Sequence, residues 1–242
     1  MPGVAARGAR REGEPIGPSW RLSPARAPAI ERGPWPCAAP LRKISPMADS
    51  APDLPLVVGI GGTIGGVSST ERALAIALDA AAREGFRTRM FGGADMAQLP
   101  LYDPRATTRT PQEREFVDTV RQASALIIAS PGYHGSISGV VKNALDLLEE
   151  TARDPLRPYL ADMPVGLIAT AYGWQATGST IAALRSIVHA LRGWPTPFAA
   201  AVNTQLTKFD AEGGASDPAV IEQLSLVGQQ VARFAPLAIQ HG

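Results

Sequence analysis

Hydrophobic and polar residues fall into a regular pattern only from about residue 55 onward. Leu56-Val57-Val58-Gly59-Ile60 is an apolar run ending in Gly61-Gly62, as expected of a strand buried on both faces. Residues 71–84 carry Ala73, Leu74, Ala77, Leu78 and Ala81 at helical spacing, and the pattern stops at Gly85. Residues 88–91 form a second, weaker strand signal, followed by a long loop through Pro100 and Pro104. Thr110-Pro111-Gln112-Glu113 then combines an N-cap threonine, proline at the first helical position and a glutamate three residues on. A third strand is expected over 125–129, with a loop over 130–138. The helix expected over 139–151 puts Val140, Val141, Ala144, Leu145 and Leu148 on one face, with Leu147 lying off it. A fourth strand over 165–170, a helix over 179–191 closed by Gly193, a fifth strand over 197–202 and a helix from Asp217-Pro218 to Phe234 complete the pattern.

This alternation of short apolar strands with helices predicts an α/β fold, a parallel sheet covered by helices on both faces. In a doubly wound sheet, ligands bind beyond the carboxyl ends of the strands, where the strand order reverses. Three loops are therefore informative: those after Gly61, after Ser130 and after Ala171.

Composition refines the domain boundary. Residues 1–46 hold eight Lys or Arg against three acids and nine of the 22 prolines, without helical or strand periodicity. Such a segment cannot bury enough apolar surface to offset its ordering entropy. Residues 1–50 are thus expected to be a disordered Pro/Arg-rich extension, or to reflect a translation start that belongs at Met47, and 51–242 the folded domain. The segment lacks the continuous apolar core of a secretory signal, and Glu12, Glu14 and Glu31 argue against a transit peptide. The net charge of +1 gives no argument for nucleic acid, and no apolar stretch suits a membrane span, so a cytoplasmic protein is expected. One cysteine, Cys37, and three scattered histidines exclude a disulfide framework and suggest no metal site.

The first loop, Gly61-Gly62-Thr63-Ile64-Gly65-Gly66-Val67-Ser68, fails two nucleotide motifs. A dinucleotide fingerprint from Gly59 needs glycine where Ile64 stands, and a Walker A loop from Gly61 needs lysine where Val67 stands. What remains is a glycine-rich turn running through Ser68-Ser69-Thr70 into a helix N-terminus. There, unpaired N–H groups and hydroxyls suit a phosphate monoester. The alternative is a simple capping box, because Ser68 and Glu71 have its spacing.

The second loop is the most specific stretch: Ser130-Pro131-Gly132-Tyr133-His134-Gly135-Ser136-Ile137-Ser138-Gly139-Val140-Val141-Lys142-Asn143-Ala144-Leu145-Asp146. It resembles the NADPH-dependent FMN reductase family of flavodoxin-like proteins. The Ser68–Leu74 run Ser-Ser-Thr-Glu-Arg-Ala-Leu and the Leu99-Pro100-Leu101-Tyr102-Asp103-Pro104 segment resemble the same family, over residues 55–204 in all. The resemblance implies a five-stranded flavodoxin-like sheet of order 2-1-3-4-5 with FMN at the strand 1/strand 3 switch point. It implies phosphate contacts from Thr63, Ser68, Ser69 and Thr70, and a wrap of the flavin ring edge by Pro131, Gly132, Tyr133, His134 and Gly135.

Gly173, in the loop after the fourth strand, matches a glycine beside the ring. Trp174 then either stacks on the flavin or nicotinamide or lies in a subunit seam. Many relatives carry an arginine near Ile64-Gly65-Gly66, so phosphate holding here is expected to rely more on N–H groups and hydroxyls. Many also have a larger or acidic residue at Gly132, so the ring is expected to be held less tightly. Lys142 and Asn143 read as a solvated face or subunit contact, and Trp194 as a core or interface plug.

The implied activity is FMN-dependent oxidation of NADPH or NADH, with electrons passed to a small-molecule acceptor: free flavin, a quinone, or an azo or nitro compound. No catalytic side chain is implied, because hydride passes between nicotinamide and flavin directly; His134 is a pocket-rim residue or a minor general acid. A homodimer or homotetramer is implied, and a two-component monooxygenase is a candidate partner; nucleic acid and membrane are not. The competing readings are a flavodoxin-type electron carrier and a non-catalytic FMN-binding protein.

Overall fold

The computed structural model describes residues 54–66, 68–210 and 213–239, with the side chains of the last helix described as far as residue 235. The expectations for residues 1–50, the Met47 start and Cys37 lie outside the described residues. Each apolar run becomes a strand: β1 (Leu56–Gly61), β2 (Arg87–Phe91), β3 (Ala125–Tyr133), β5 (Pro164–Ala171) and β6 (Trp194–Asn203). A two-residue β4 (Ser136–Ile137) folds back antiparallel on the end of β3. The main strands pair in parallel in the order β2-β1-β3-β5-β6. That is the expected 2-1-3-4-5 order once the small β4 arm is set aside.

Side chains alternate across the sheet, so each strand feeds two cores. Leu56, Val58 and Ile60 point to the face covered by α3 (Pro111–Gln122), α4 (Gly139–Asp146) and α5 (Trp174–Ala190). Val57 points to the face covered by α1 (Ser69–Arg83) and α6 (Pro218–Ile239). The α1 and α6 helices approach closely at Gly228, where a Cβ would stand 2.0 Å from the Ala77 carbonyl oxygen. The Thr110 cap forms as the sequence predicts: its hydroxyl accepts from Glu113 N–H, and Glu113 accepts from Thr110 N–H. At the other end of α3, the Arg157 guanidinium donates to the carbonyls of Val120, Arg121 and Ala123. Burial there holds its pKa below the ordinary guanidinium range.

Several elements depart from expectation. A four-residue α2 (Gly93–Met96) follows β2, and α4 gives way to a 3-10 turn over Leu147–Thr151. Leu147, which lies off the α4 stripe, is fully buried within its own chain. The β6 strand begins at Trp194 rather than at residue 197, because an edge strand tolerates Pro195 and Pro197. Trp194 is exposed and donates its indole N–H to Asp162, so it is not a core plug.

Candidate functional site

The ends of β1, β3 and β5 are neighbours in the sheet: Gly61 pairs with Ala129, and Pro131 with Thr170. The three loops singled out from sequence therefore converge on one edge. In the first, the capping box is real: Ser68 Oγ accepts from Glu71 N–H at 3.2 Å, and a Glu71 carboxylate oxygen accepts from Ser68 N–H at 3.3 Å. The other Glu71 oxygen accepts from Gly93 N–H at 3.2 Å, which ties this loop to the start of α2. The cap does not exhaust the loop. The main-chain N–H groups of Thr63, Ile64, Gly65, Ser69 and Thr70 have no partner among the described residues, nor do the hydroxyls of Thr63 and Ser69. A methyl group at Gly65 or Gly66 would meet no atom within 4 Å, so the turn is open on its outer side. Thr70 is buried and its hydroxyl lies 2.6 Å from that of Thr170, at the end of β5.

The second segment is a hairpin rather than a loop. The β3 strand continues through Pro131 and Gly132 to Tyr133, and Gly132 and Tyr133 pair with Ile137 and Ser136. His134 (φ 50°) and Gly135 (φ 84°) make the two-residue turn, both in the left-handed region. A type I′ turn needs that region at both central positions, and His134 and Gly135 supply it. The N–H groups of both turn residues have no partner among the described residues. Tyr133 is half exposed beside them. The hairpin base is stapled by Ser130, whose buried hydroxyl accepts from Ser138 N–H at 3.0 Å and donates to the Pro131 carbonyl. Ser138 in turn caps α4 by accepting from Val141 N–H. Asn143, expected to be a solvated or subunit-facing residue, is a clamp: it accepts from Tyr102 N–H at 2.8 Å and donates to the Pro100 carbonyl at 2.9 Å. Lys142 is on the solvated face and pairs with Asp146.

The third segment is shorter than expected. Only Tyr172 and Gly173 remain as a link, because α5 starts at Trp174, five residues earlier than the sequence reading. Gly173 is its N-cap, in an extended conformation and without a side-chain cap. The first-turn N–H groups of α5 consequently point out at the same sheet edge. Early α5 packs on the hairpin: a Cβ at Gly132 would stand 2.6 Å from Thr180 Oγ1 and 3.1 Å from the Ala176 carbonyl. The space that a larger residue would take at position 132 is thus filled by α5. Trp174 and Tyr172 are exposed at this edge.

The site is an open shelf: a Cβ at Gly65, Gly66, Gly135 or Gly173 would meet no atom within 4 Å, and Tyr133, Tyr172 and Trp174 are exposed. Three groups of unpaired N–H donors, two free hydroxyls and exposed aromatic rings suit a ligand with an anionic end and a flat ring edged with hydrogen-bond acceptors. No cluster of metal-ligating side chains occurs among the described residues. Thr170 is the site residue that sequence reasoning passed over, since one threonine at a strand end carries no local signal.

The sequence profile of the NADPH-dependent FMN reductase family matches residues 55–207, which takes in all three segments. The chain belongs to that family. The FMN and NADPH of the family's description are the pair that the motif resemblance implies. Among curated relatives, the FMN-dependent NADPH-azoreductases of Staphylococcus haemolyticus and Staphylococcus aureus are 33% identical over 125 residues. That stretch is 49% of this chain and 59% of theirs, so the chain matches under two thirds of each relative's length. Among solved structures, the flavoenzyme NAD(P)H:(acceptor) oxidoreductase of Paracoccus denitrificans superposes with a TM-score of 0.60 at 18% identity, covering 78% of this chain and 100% of its own. An NADH:FMN oxidoreductase in its apo form gives 0.56 at 22% identity, covering 75% and 89%. At such identities these structures establish the flavodoxin-like fold alone.

Proposed function

We propose that this chain is an FMN-dependent NAD(P)H oxidoreductase that passes electrons from the nicotinamide through bound flavin to a small planar acceptor. The observation that carries the reading is the coincidence of the unpaired donors with the segments matched to the family. In this reading Thr63, Ser68, Ser69 and Thr70 hold the FMN phosphate. Thr63 and Ser69 offer free hydroxyls, Ser68 fixes the first turn of α1, and the loop N–H groups and helix terminus balance the charge. Pro131, Gly132 and Tyr133 form a wall for the ring. The N–H groups of His134 and Gly135 donate to its polar edge, and Gly173 lets the start of α5 come close. Bound FMN supplies the hydride-accepting ring, and the protein tunes it by where it points those donors. No side chain is asked to move a proton, and His134 serves through its backbone.

In this reading the acceptor is an azo or nitro compound, a quinone, or free flavin handed to a monooxygenase. The open, aromatic-edged shelf supports a planar acceptor, and the azoreductase names of the curated relatives support an azo compound. We assign a homodimer or homotetramer to the active form, supported by the exposure of Ile64, Tyr133, Tyr172 and Trp174 around a shelf that needs a cover. A cytoplasmic site of action belongs to the same reading, because NADPH is drawn from that pool. No described helix is long and apolar enough to cross a membrane.

The test is spectroscopic. Protein loaded with FMN and mixed anaerobically with NADPH should lose its visible flavin band within seconds and regain it on adding an azo dye or quinone. Flavin that binds but keeps its colour under NADPH would favour the electron-carrier reading. Absence of flavin binding would remove the proposal altogether.

A further inference from the structure

The Thr70–Thr170 pair contains a hydrogen-bond imbalance. Two hydroxyls carry two protons, and the single contact of 2.6 Å between them uses one. Neither oxygen makes another hydrogen bond among the described residues. The side chains are 2% and 3% exposed, so bulk water does not take up the second proton. A buried donor left unpaired is costly, which makes such a group a pointer to a missing acceptor. The position of the pair says where that acceptor lies. Thr70 sits on the first turn of α1, and its own N–H and that of Ser69 are also unpartnered. An anion oxygen at the Thr70 N–H is within reach of the hydroxyl of the same residue.

Resting on the proposed flavin function, we infer that Thr170 is a positioning residue for the FMN phosphate. Its hydroxyl donates to Thr70 Oγ1, and this turns the Thr70 proton toward a phosphate oxygen. Thr170 thereby directs one charge-assisted donor, that of Thr70, in a loop with no lysine or arginine between Gly59 and Glu71. The contact spans two elements far apart in sequence, which is why no motif assigns it. It also joins the first turn of α1 to the end of β5, next to the strand that carries the hairpin.

The experiment compares FMN with riboflavin, which lacks the phosphate, on wild type, Thr170→Val, Thr170→Ser and Thr70→Val, by flavin fluorescence titration alongside thermal melting. Thr170→Val keeps the shape and removes the orienting donor while Thr70 keeps its own proton; it should weaken FMN by about threefold to tenfold, less than the tenfold to hundredfold expected of Thr70→Val, which removes the phosphate donor itself. Riboflavin affinity should stay within about twofold in both, and Thr170→Ser should restore FMN binding. Should the valine variant not fold, Thr170→Ala gives the same comparison. Equal losses for both flavins, or an unchanged FMN affinity, would overturn the inference and leave only a packing pair or a buried water. Failure of the wild type to bind FMN would instead remove the functional proposal on which the inference rests.

Discussion

Replacing Gly132 with alanine tests how the hairpin and α5 are fitted together. The backbone at Gly132 is not in the left-handed region, so alanine brings no conformational penalty there and its effect is steric. The new methyl would stand 2.6 Å from Thr180 Oγ1, 3.1 Å from the Ala176 carbonyl oxygen and 3.2 Å from Ala171 Cβ. Thr180 cannot swing aside easily. It is fully buried, and its hydroxyl is held by the Ala176 carbonyl at 2.7 Å. Forcing one methyl into such a contact costs about 1–3 kcal/mol. Thr180→Ala alone should cost about 1 kcal/mol for the lost hydrogen bond. The double variant removes the shortest of the three contacts and should recover about 1–2 kcal/mol relative to the sum of the singles. Urea unfolding of the four proteins measures this, provided the m-values agree. Additivity within about 0.5 kcal/mol would mean that Gly132 and Thr180 are not pressed together, and the account of position 132 would fall.

Other outcomes follow from contacts already described. Ser130→Ala strands the Ser138 N–H in the interior and should destabilise the protein by about 1–3 kcal/mol, seen as a lower denaturation midpoint; a change below about 0.5 kcal/mol would deny the staple its role. Asn143→Ala should speed hydrogen exchange at the Tyr102 amide while leaving strand amides protected, and unchanged exchange would show that the loop is held by other contacts. A chain beginning at Met47 should melt and bind flavin like the full chain, because the described residues of both cores lie within 56–235. A clear fall in melting temperature would refute this.

The strands and both helical layers are legible because periodicity carries them, whereas the strand order is what the motif resemblance implies. Runs such as Val57-Val58 and Leu126-Ile127-Ile128 are buried on both faces and need no context to be recognised. Misreadings cluster where tertiary contact overrides local signals. The start of α5 was placed late because Gly173 and Gly178 look like loop residues and no hydroxyl cap precedes Trp174. Helix formation is extended there by packing of Ala176 and Thr180 on Gly132. The hairpin was read as a loop because Pro131 and Gly132 interrupt the apolar run, although His134-Gly135 between Tyr133 and Ser136 is a two-residue turn signal. Asn143 and Thr170 were beyond reach, since their partners lie 41–43 and 100 residues away.

The first half of the outer border of β6, from Pro195 to Phe198, is closed to other strands. Pro195 and Pro197 have no N–H to offer, and the Phe198 N–H is taken by the Gln230 side chain. The carbonyls of Thr196 and Pro197 accept from Arg185 on the neighbouring helix. A strand from another molecule would find few free donors or acceptors along this stretch, so this border is guarded against cross-molecule β-addition and the aggregation it seeds. Association of copies through this stretch is therefore disfavoured, and contact through helices or through the shelf would let a second subunit shape the ligand-binding edge.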